Sequence, residues 1–372
     1  MRLVYLVTPA SFFISHRLHI ALEAQRQGYE VHVITWGKQK HLDFLKEKNI
    51  QVHGFHIPKS TSAILKEIQQ LWRIINIYWK IKPEICHHVT IRMIVYGMIA
   101  AFFSRPSKIV NAYSGLGFVY THQTWPVKII RHTLQLIMLI FKQSKKQYAI
   151  FQNDDDKQEI INNKLEVESH CHLIRGAGVD LFHFMPFPEP DRNLLKIVFP
   201  ARLLKDKGLY EFIAAIKIVR QVYPDIFVQL AGDVDSGNPS SVDMEIVGKW
   251  KEDGIINQFG FIEDMAELYR SCNIVCLPSY REGLPKSLLE AAASGRAIIT
   301  TDVPGCRELY DEDSKAVIIV PAKEIRPLAD AIMLLIADQS LRNELGIKGR
   351  LLIEKYFSEE TVRDQTMKVY KI

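Results

Sequence analysis

What the chain lacks narrows its function first. No apolar run reaches the roughly 18–20 residues that a membrane-crossing helix needs; the best, Ile94–Phe103 and Leu134–Phe141, stop well short. The opening Arg2–Pro9 has one charge, no small-x-small cleavage site and an early Pro, so it reads as a first buried strand, not a signal peptide. A cytoplasmic protein is expected. Cys86, Cys171, Cys272, Cys276 and Cys306 make no paired framework, and no His or further Cys accompanies Cys272 and Cys276. Buried free thiols are therefore expected and a zinc site is not. The absence of an Arg-rich arm, zinc finger or RNA-binding signature argues against a nucleic-acid partner. No Gly-x-Gly-x-x-Gly follows a strand, which argues against dinucleotide chemistry.

What is present suits two globular domains: 372 residues, 48% hydrophobic, enough to bury a core in each. Charge is lopsided. Residues 1–180 hold 23 Lys+Arg against 13 Asp+Glu, and residues 181–372 hold 24 against 29. A basic half joined to an acidic one suggests that only the first meets an anionic surface. Two segments favour a lipid leaflet. In Lys59–Lys82, Ile64, Ile68, Leu71, Trp72, Ile75 and Trp79 recur at helical spacing among Lys66, Arg73 and Lys80. In Trp125–Lys146, Lys128, Arg131, Lys142, Lys145 and Lys146 surround an apolar centre. Helices of this kind can lie in a membrane interface; each equally suits a helix packed on a sheet with a solvated basic face.

Short β-branched or aromatic runs at Arg2–Pro9, Glu30–Thr35, Ile50–His56, Glu84–Val89, Lys108–Ala112 and Gln147–Asn153 alternate with helical patterns such as His16–Gln27 and Ile91–Phe103. After a Pro- and Gly-rich linker at 176–190 the alternation restarts at Leu195–Ala201, Ile226–Ala231, Ile256–Gly260, Asn273–Pro278, Ala297–Thr301 and Ala316–Pro321. Its helices include Leu209–Tyr223, Val242–Asp253 and Pro285–Ser294, and Glu359–Tyr370 adds a last one. Strand–helix alternation predicts right-handed βαβ units and parallel sheets. The expected fold class is α/β, two Rossmann-like domains (1–178 and 179–358) whose sheets face a central cleft, with 359–372 crossing back to the first.

Ligands bind beyond the carboxyl ends of such strands. The first strand of the second half releases Arg202 and Lys207, five apart across a turn, and a diphosphate suits that pair: Arg brings a planar fork, Lys a mobile point charge. A later strand ends in Ser279-Tyr280-Arg281-Glu282-Gly283-Leu284-Pro285, with Pro285 placed for a helix's first turn. The Gly283 and Leu284 amides would then sit at a positive helix end. Glu290, inside that helix and before three alanines, needs a polar partner if buried; a ribose diol and an internal cation both qualify.

Arg202-x4-Lys207 followed by Glu282-x7-Glu290, within "PSYREGLPKSLLEAAASGRAIITTDVPGCREL", resembles the retaining nucleotide-sugar glycosyltransferases of family four, which have the GT-B fold. "RGAGVDLFHF" (175–184) is similar to that family's interdomain hinge. "ICHHVTIRMIVYGMIAA" (85–101) and "NAYSGLGFVYT" (111–121) resemble its bacterial capsule, O-antigen and lipid-linked oligosaccharide subgroup.

The resemblance implies roles. Arg202 and Lys207 would neutralise the donor diphosphate, Glu290 would hold the ribose hydroxyls and Glu282 the transferred sugar. Ser279 and the Gly283 and Leu284 amides would complete the donor site, and Ile262, in Phe261–Asp264, would wall the nucleobase. The implied reaction moves a sugar, from a UDP-sugar by subgroup, to a polyprenyl-linked saccharide at the inner membrane face. It needs neither metal nor cofactor, and neither Glu acts as a covalent nucleophile. In the first half, His16 and Arg17, expected to begin a helix, and Gly115 and Gly117 are the acceptor-side candidates. The Thr8–Arg17 loop departs from the family's Gly-rich one. A soluble acceptor, a nucleotide-sugar epimerase and a non-catalytic sugar or lipid-carrier binding protein are the alternatives.

Overall fold

The computed structural model describes residues 1–55, 64–121, 124–190, 194–235, 237–310 and 315–372. His56 and Lys59, the expected ends of a strand and of a helix, lie outside them. The chain forms two compact units: Met1–Ala177 with Glu360–Ile372, and Gly178–Glu359. Among the described residues no helix is long and apolar enough to cross a membrane.

The first unit runs β1 (Arg2–Leu6), α1 (Ala10–His16), α2 (Leu18–Arg26), β2 (Glu30–Thr35), α3 (Gln39–Glu47), β3 (Gln51–Gly54), α4 (Ile64–Ile81), β4 (Ile85–Val89), α5 (Ile91–Ser104), β5 (Lys108–Tyr113), α6 (Phe118–Thr121), α7 (Trp125–Ile140), β6 (Gln147–Phe151), α8 (Asp154–Asn162) and β7 (Cys171–Leu173). Its strands are all parallel, in the order β3-β2-β1-β4-β5-β6-β7. Side chains alternate along β1. Leu3 and Tyr5 join Ile20 of α2 and Met367 on one face, while Val4 and Leu6 join Ile74 and Tyr78 of α4 on the other. A strand covered on both faces must be apolar at every position, which is why Arg2–Leu6 looks like the front of a leader yet is central.

The second unit runs β8 (Leu195–Phe199), α9 (Leu209–Val222), β9 (Ile226–Ala231), α10 (Met244–Glu252), β10 (Gln258–Gly260), α11 (Met265–Arg270), β11 (Ile274–Leu277), α12 (Lys286–Ala293), β12 (Ala297–Thr301), β13 (Ile318–Val320), α13 (Ile325–Ala337) and α14 (Gln339–Tyr356). The six strands are parallel, ordered β10-β9-β8-β11-β12-β13. The final helix, α15 (Glu359–Lys371), joins the first unit, where the Tyr370 hydroxyl meets that of Tyr5 at 2.9 Å. All five cysteines carry free thiols, four of them buried.

Three expectations need correction. The first strand stops at Leu6, and a short helix from Ala10 precedes the expected one, which is α2. Pro9 takes the N-cap position of α1, and the run Ser11–Ser15 has no charged face to betray the period. Second, β7 was not expected: Cys171–Leu173 is three residues long and mixed in polarity, and only its pairing with β6 makes it a strand. Third, the Pro-rich stretch before β8 is not a loose linker. The Glu189 carboxylate accepts hydrogen bonds from Arg342 and Asn273, both at 2.6 Å, with Glu189 and Arg342 each 7% exposed. Buried charges are tolerated only when paired in this way.

The two amphipathic segments each bury one apolar set and leave another exposed. α4 buries Ile74, Ile75, Tyr78 and Ile81 yet exposes Leu65, Ile68, Trp72 and Trp79. α7 buries Val127 and Met138 yet exposes Trp125, Ile129, Ile130, Leu136, Leu139 and Ile140. α5 packs against both.

Candidate functional site

In the second unit the direction of winding reverses between β8 and β11. Loops leaving neighbouring strands at such a point diverge and open a crevice at the carboxyl edge of the sheet. The β8 exit carries Arg202 and Lys207, the β11 exit carries Ser279 to Pro285, and the register Val198↔Val275 sets these exits side by side.

Backbone packing fixes the β8 loop. Lys207 closes a single turn over Lys205–Lys207, and Gly208 follows at φ +71°. A Cβ there would fall 2.0 Å from the Pro278 carbonyl oxygen, so only glycine lets the turn rest on the end of β11. The Tyr280 amide donates to the Asp206 carbonyl at 2.9 Å and joins the two loops. Lys207 Nζ therefore reaches Glu282 Oε1, and the same oxygen accepts the Ser279 hydroxyl at 2.6 Å. The Lys207 and Glu282 side chains are 19% and 11% exposed, and Ser279 is fully buried.

Arg202 is placed differently. Its Nη1 donates to Asp235 Oδ2 at 2.6 Å, and 59% of its side chain faces solvent. Each cation thus has its own carboxylate, Asp235 for Arg202 and Glu282 for Lys207.

Across from them, Pro285 is the N-cap of α12, one position earlier than expected. The turn before it is pressed from behind by Gly305, whose added Cβ would lie 2.5 Å from the carbonyl oxygens of Glu282 and Gly283. Leu284 packs into the core of the unit, and Ile262, just after β10, is half-buried against it. Glu290 lies one turn beyond Lys286, with Lys286 Nζ 3.9 Å away, outside hydrogen-bond distance. Burial raises the Glu290 carboxyl to about 7; Lys286 opposes the shift and Glu359 adds to it. The internal cation that sequence left open is thus present, at ion-pair and not hydrogen-bond distance.

Sequence reasoning missed Asp235, Gly305 and the Tyr280 contacts. The Tyr280 hydroxyl donates to Glu211 at 2.7 Å and Lys323 Nζ lies 4.8 Å over its ring. Tyr280 stands inside the motif already singled out; its partners are 69 residues before and on another loop, and no spacing rule reaches them. Among the described residues no group of three or more His, Cys, Asp or Glu is placed to hold a metal ion.

In the first unit, His16 ends α1, with Nδ1 2.7 Å from the Ser15 hydroxyl and its ring stacked on Phe12 at 3.9 Å. Arg17 is the C-cap of α1 and the N-cap of α2. It is 3% exposed, and it donates to the His16 carbonyl at 3.0 Å. Gly115 and Gly117 have φ of +94° and +64° and flank buried Leu116, a turn that needs glycine on conformational grounds alone. His87 and His88 are both internal. His87 Nδ1 meets the Tyr370 hydroxyl, and His88 bridges Asn111 (2.9 Å) and Tyr78 (3.1 Å), with burial lowering its pKa to about 4.

Known proteins share this construction. Residues 185–352 match the family described as glycosyl transferases group 1, and residues 2–153 match glycosyl transferase 4-like proteins. The chain belongs to the family-four glycosyltransferases. It is 23% identical to the N,N'-diacetylbacillosaminyl-diphospho-undecaprenol alpha-1,3-N-acetylgalactosaminyltransferase of Campylobacter jejuni, over 100% of this chain and 98% of that one. It is also 23% identical to the capsular polysaccharide biosynthesis glycosyltransferase CapM of Staphylococcus aureus, over 91% and 96% of the two chains. Among solved structures, Anabaena HepE in complex with UDP-glucose superposes with a TM-score of 0.78 at 18% identity, over 100% of this chain and 99% of that one. The fold is GT-B.

Proposed function

We propose that this enzyme moves a sugar from a uridine diphosphate sugar to a saccharide carried on a polyprenyl diphosphate, with retention at the anomeric carbon. The observation that carries the reading is the Lys207–Glu282–Ser279 cluster at the β8/β11 reversal, with Glu290 on the helix that follows. Lys207 is held pointing at the carboxyl edge by Glu282, and its remaining ammonium protons are available to diphosphate oxygens. Arg202, at the exposed rim, exchanges Asp235 for the second phosphate. Glu290 accepts the ribose hydroxyls, Glu282 a hydroxyl of the departing sugar, and Ile262 borders the base. The Gly283 and Leu284 amides, at the start of α12, face the diphosphate. Neutralising the charge that builds on the leaving nucleotide is the main catalytic effect, and the leaving phosphate takes the acceptor's proton on the same face of the sugar.

On the acceptor side, His16 and the Gly115–Gly117 turn contact the lipid-linked saccharide, and Arg17 fixes the α1–α2 corner beneath them. The exposed apolar residues of α4 and α7, with the basic residues between them, rest on an anionic leaflet on the cytoplasmic side. The relatives named for undecaprenyl-diphosphate and capsule chemistry support this reading.

The test is a panel of nucleotide sugars incubated with bacterial lipid extract and followed by mass analysis. One hexose or N-acetylhexosamine added to a polyprenyl-diphosphate saccharide, only with a UDP donor and in the donor's anomeric configuration, is expected. Conversion of the donor without acceptor, as an epimerase does, contradicts it, and so does donor binding without turnover.

A further inference from the structure

In the first unit α4 and α5 end side by side, and between their ends lies a cavity of about 370 Å³ lined by Tyr78, Trp79, Lys82, Phe103, Ser104 and Arg105, among others. Lys82 and Arg105 take the residue position just past each helix, both left-handed, at φ +51° and +53°. Their amides close the last turns onto Tyr78 and Ala101 carbonyls at 2.8 and 2.9 Å, so the backbone fixes both cationic stems at the mouth of the cavity. Neither side chain has an ion pair among the described residues. The neighbouring carboxylate, Glu84, is taken by Arg2, and from 85 to 153 the sequence has no Asp or Glu. The Ser104 hydroxyl is itself buried, without a hydrogen-bond partner among the described residues.

The walls are of the opposite character. Trp79 and Phe103 are each about half exposed, and Phe102 stacks edge-on against Phe103 and Phe141 at 5.5 and 5.4 Å. Basic residues past a helix end ordinarily complement its dipole. That role does not explain the exposed aromatic wall. Two cations without an ion pair among the described residues, beside exposed aromatic rings, suit a phosphate that carries hydrocarbon.

We infer that this cavity binds the phosphate of an anionic glycerophospholipid, with Lys82 and Arg105 on its oxygens and the acyl chains along Trp79 and Phe103. The inference rests on the membrane reading above and adds to it: the leaflet is held at a defined site as well as by diffuse charge.

The experiment titrates the full chain with dihexanoyl phosphatidylglycerol below its micelle threshold, by calorimetry, beside sedimentation with phosphatidylglycerol vesicles. Saturable one-to-one binding is expected, weakened at least about tenfold in Lys82→Gln/Arg105→Gln, which removes two charge-assisted bonds but keeps the stems. Lys128→Gln/Lys145→Gln removes the same net charge from α7 and the turn after it. It is expected to reduce vesicle binding in a salt-sensitive way and to leave the short-chain titration unchanged. Equal losses in the two variants would mean general electrostatics and overturn the inference, as would an absence of saturable binding. Equal affinity for glycerol phosphate would make it a free phosphate-ester site and overturn the lipid assignment. A wild-type chain that binds the short lipid but ignores vesicles at low salt would remove the membrane reading and leave the pocket.

Discussion

Replacing Lys207 by Ala is expected to lower kcat by about 10²–10³-fold, the loss that accompanies removal of one preorganised group from a developing negative charge. Two effects are mixed in that variant, because Lys207 also pairs with Glu282, a carboxylate only 11% exposed. Stripped of its cation, Glu282 keeps the Ser279 hydroxyl but lies in a site that disfavours charge, at a cost on the order of a few kcal/mol. Adding Glu282→Gln removes the stability effect, and Glu282→Gln alone gives the rate against which the double variant is read. The double variant is expected to recover the melting temperature while its turnover stays low. Recovery of rate together with stability would show that Lys207 only neutralises Glu282, and a wild-type rate in the single variant would take Lys207 out of the site altogether.

The second large effect is pH-dependent binding through Glu290. Its carboxyl is held at about 7 by burial, so near neutrality it is divided between a protonated and an ionised form. If the ionised form accepts the ribose hydroxyls, the donor's KM falls as pH rises through about 7 and levels off above it. Glu290→Gln is expected to raise KM by roughly 10–100-fold, the worth of one or two hydrogen bonds to a charged acceptor, and to flatten the profile. Stability has the opposite slope. The folded carboxyl binds its proton more tightly than the unfolded one, whose value is near 4.5. The Glu290 contribution therefore declines between about 4.5 and 7 and is constant above, a difference of up to about 3 kcal/mol. Glu290→Gln removes that loss and should melt higher than wild type at pH 8. A KM that ignores both pH and the substitution would assign Glu290 to the helix and its Lys286 contact alone.

Much of this is legible in the sequence. The strands of the second unit are apolar at nearly every position, because helices cover both faces of a parallel sheet. Runs such as Ile274–Leu277 and Ala297–Thr301 therefore stand out from their surroundings. Arg202, Lys207 and Glu282 could be singled out because strand ends are where the chain releases polar residues, and Glu290 because a carboxylate before three alanines in a helix needs a polar partner. What could not be read is pairing at a distance. Asp235 takes Arg202 from 33 residues away, and Gly305 lies behind Glu282 from the far end of β12. α1 is illegible for a different reason: it is seven residues with no acidic or basic face to mark its period. α4 and α7 were read correctly as amphipathic, but which apolar residues face inward depends on where α5 sits between them.

The central claim is that cations on the β8 loop and the turn before α12 grip a nucleotide diphosphate. A crystal structure of the full chain with UDP tests it most directly. The account predicts diphosphate oxygens within hydrogen-bond distance of Lys207 Nζ, Arg202 swung away from Asp235 toward the second phosphate, and both ribose hydroxyls on Glu290. UDP bound elsewhere, with Lys207 still held only by Glu282 and Arg202 only by Asp235, would contradict it.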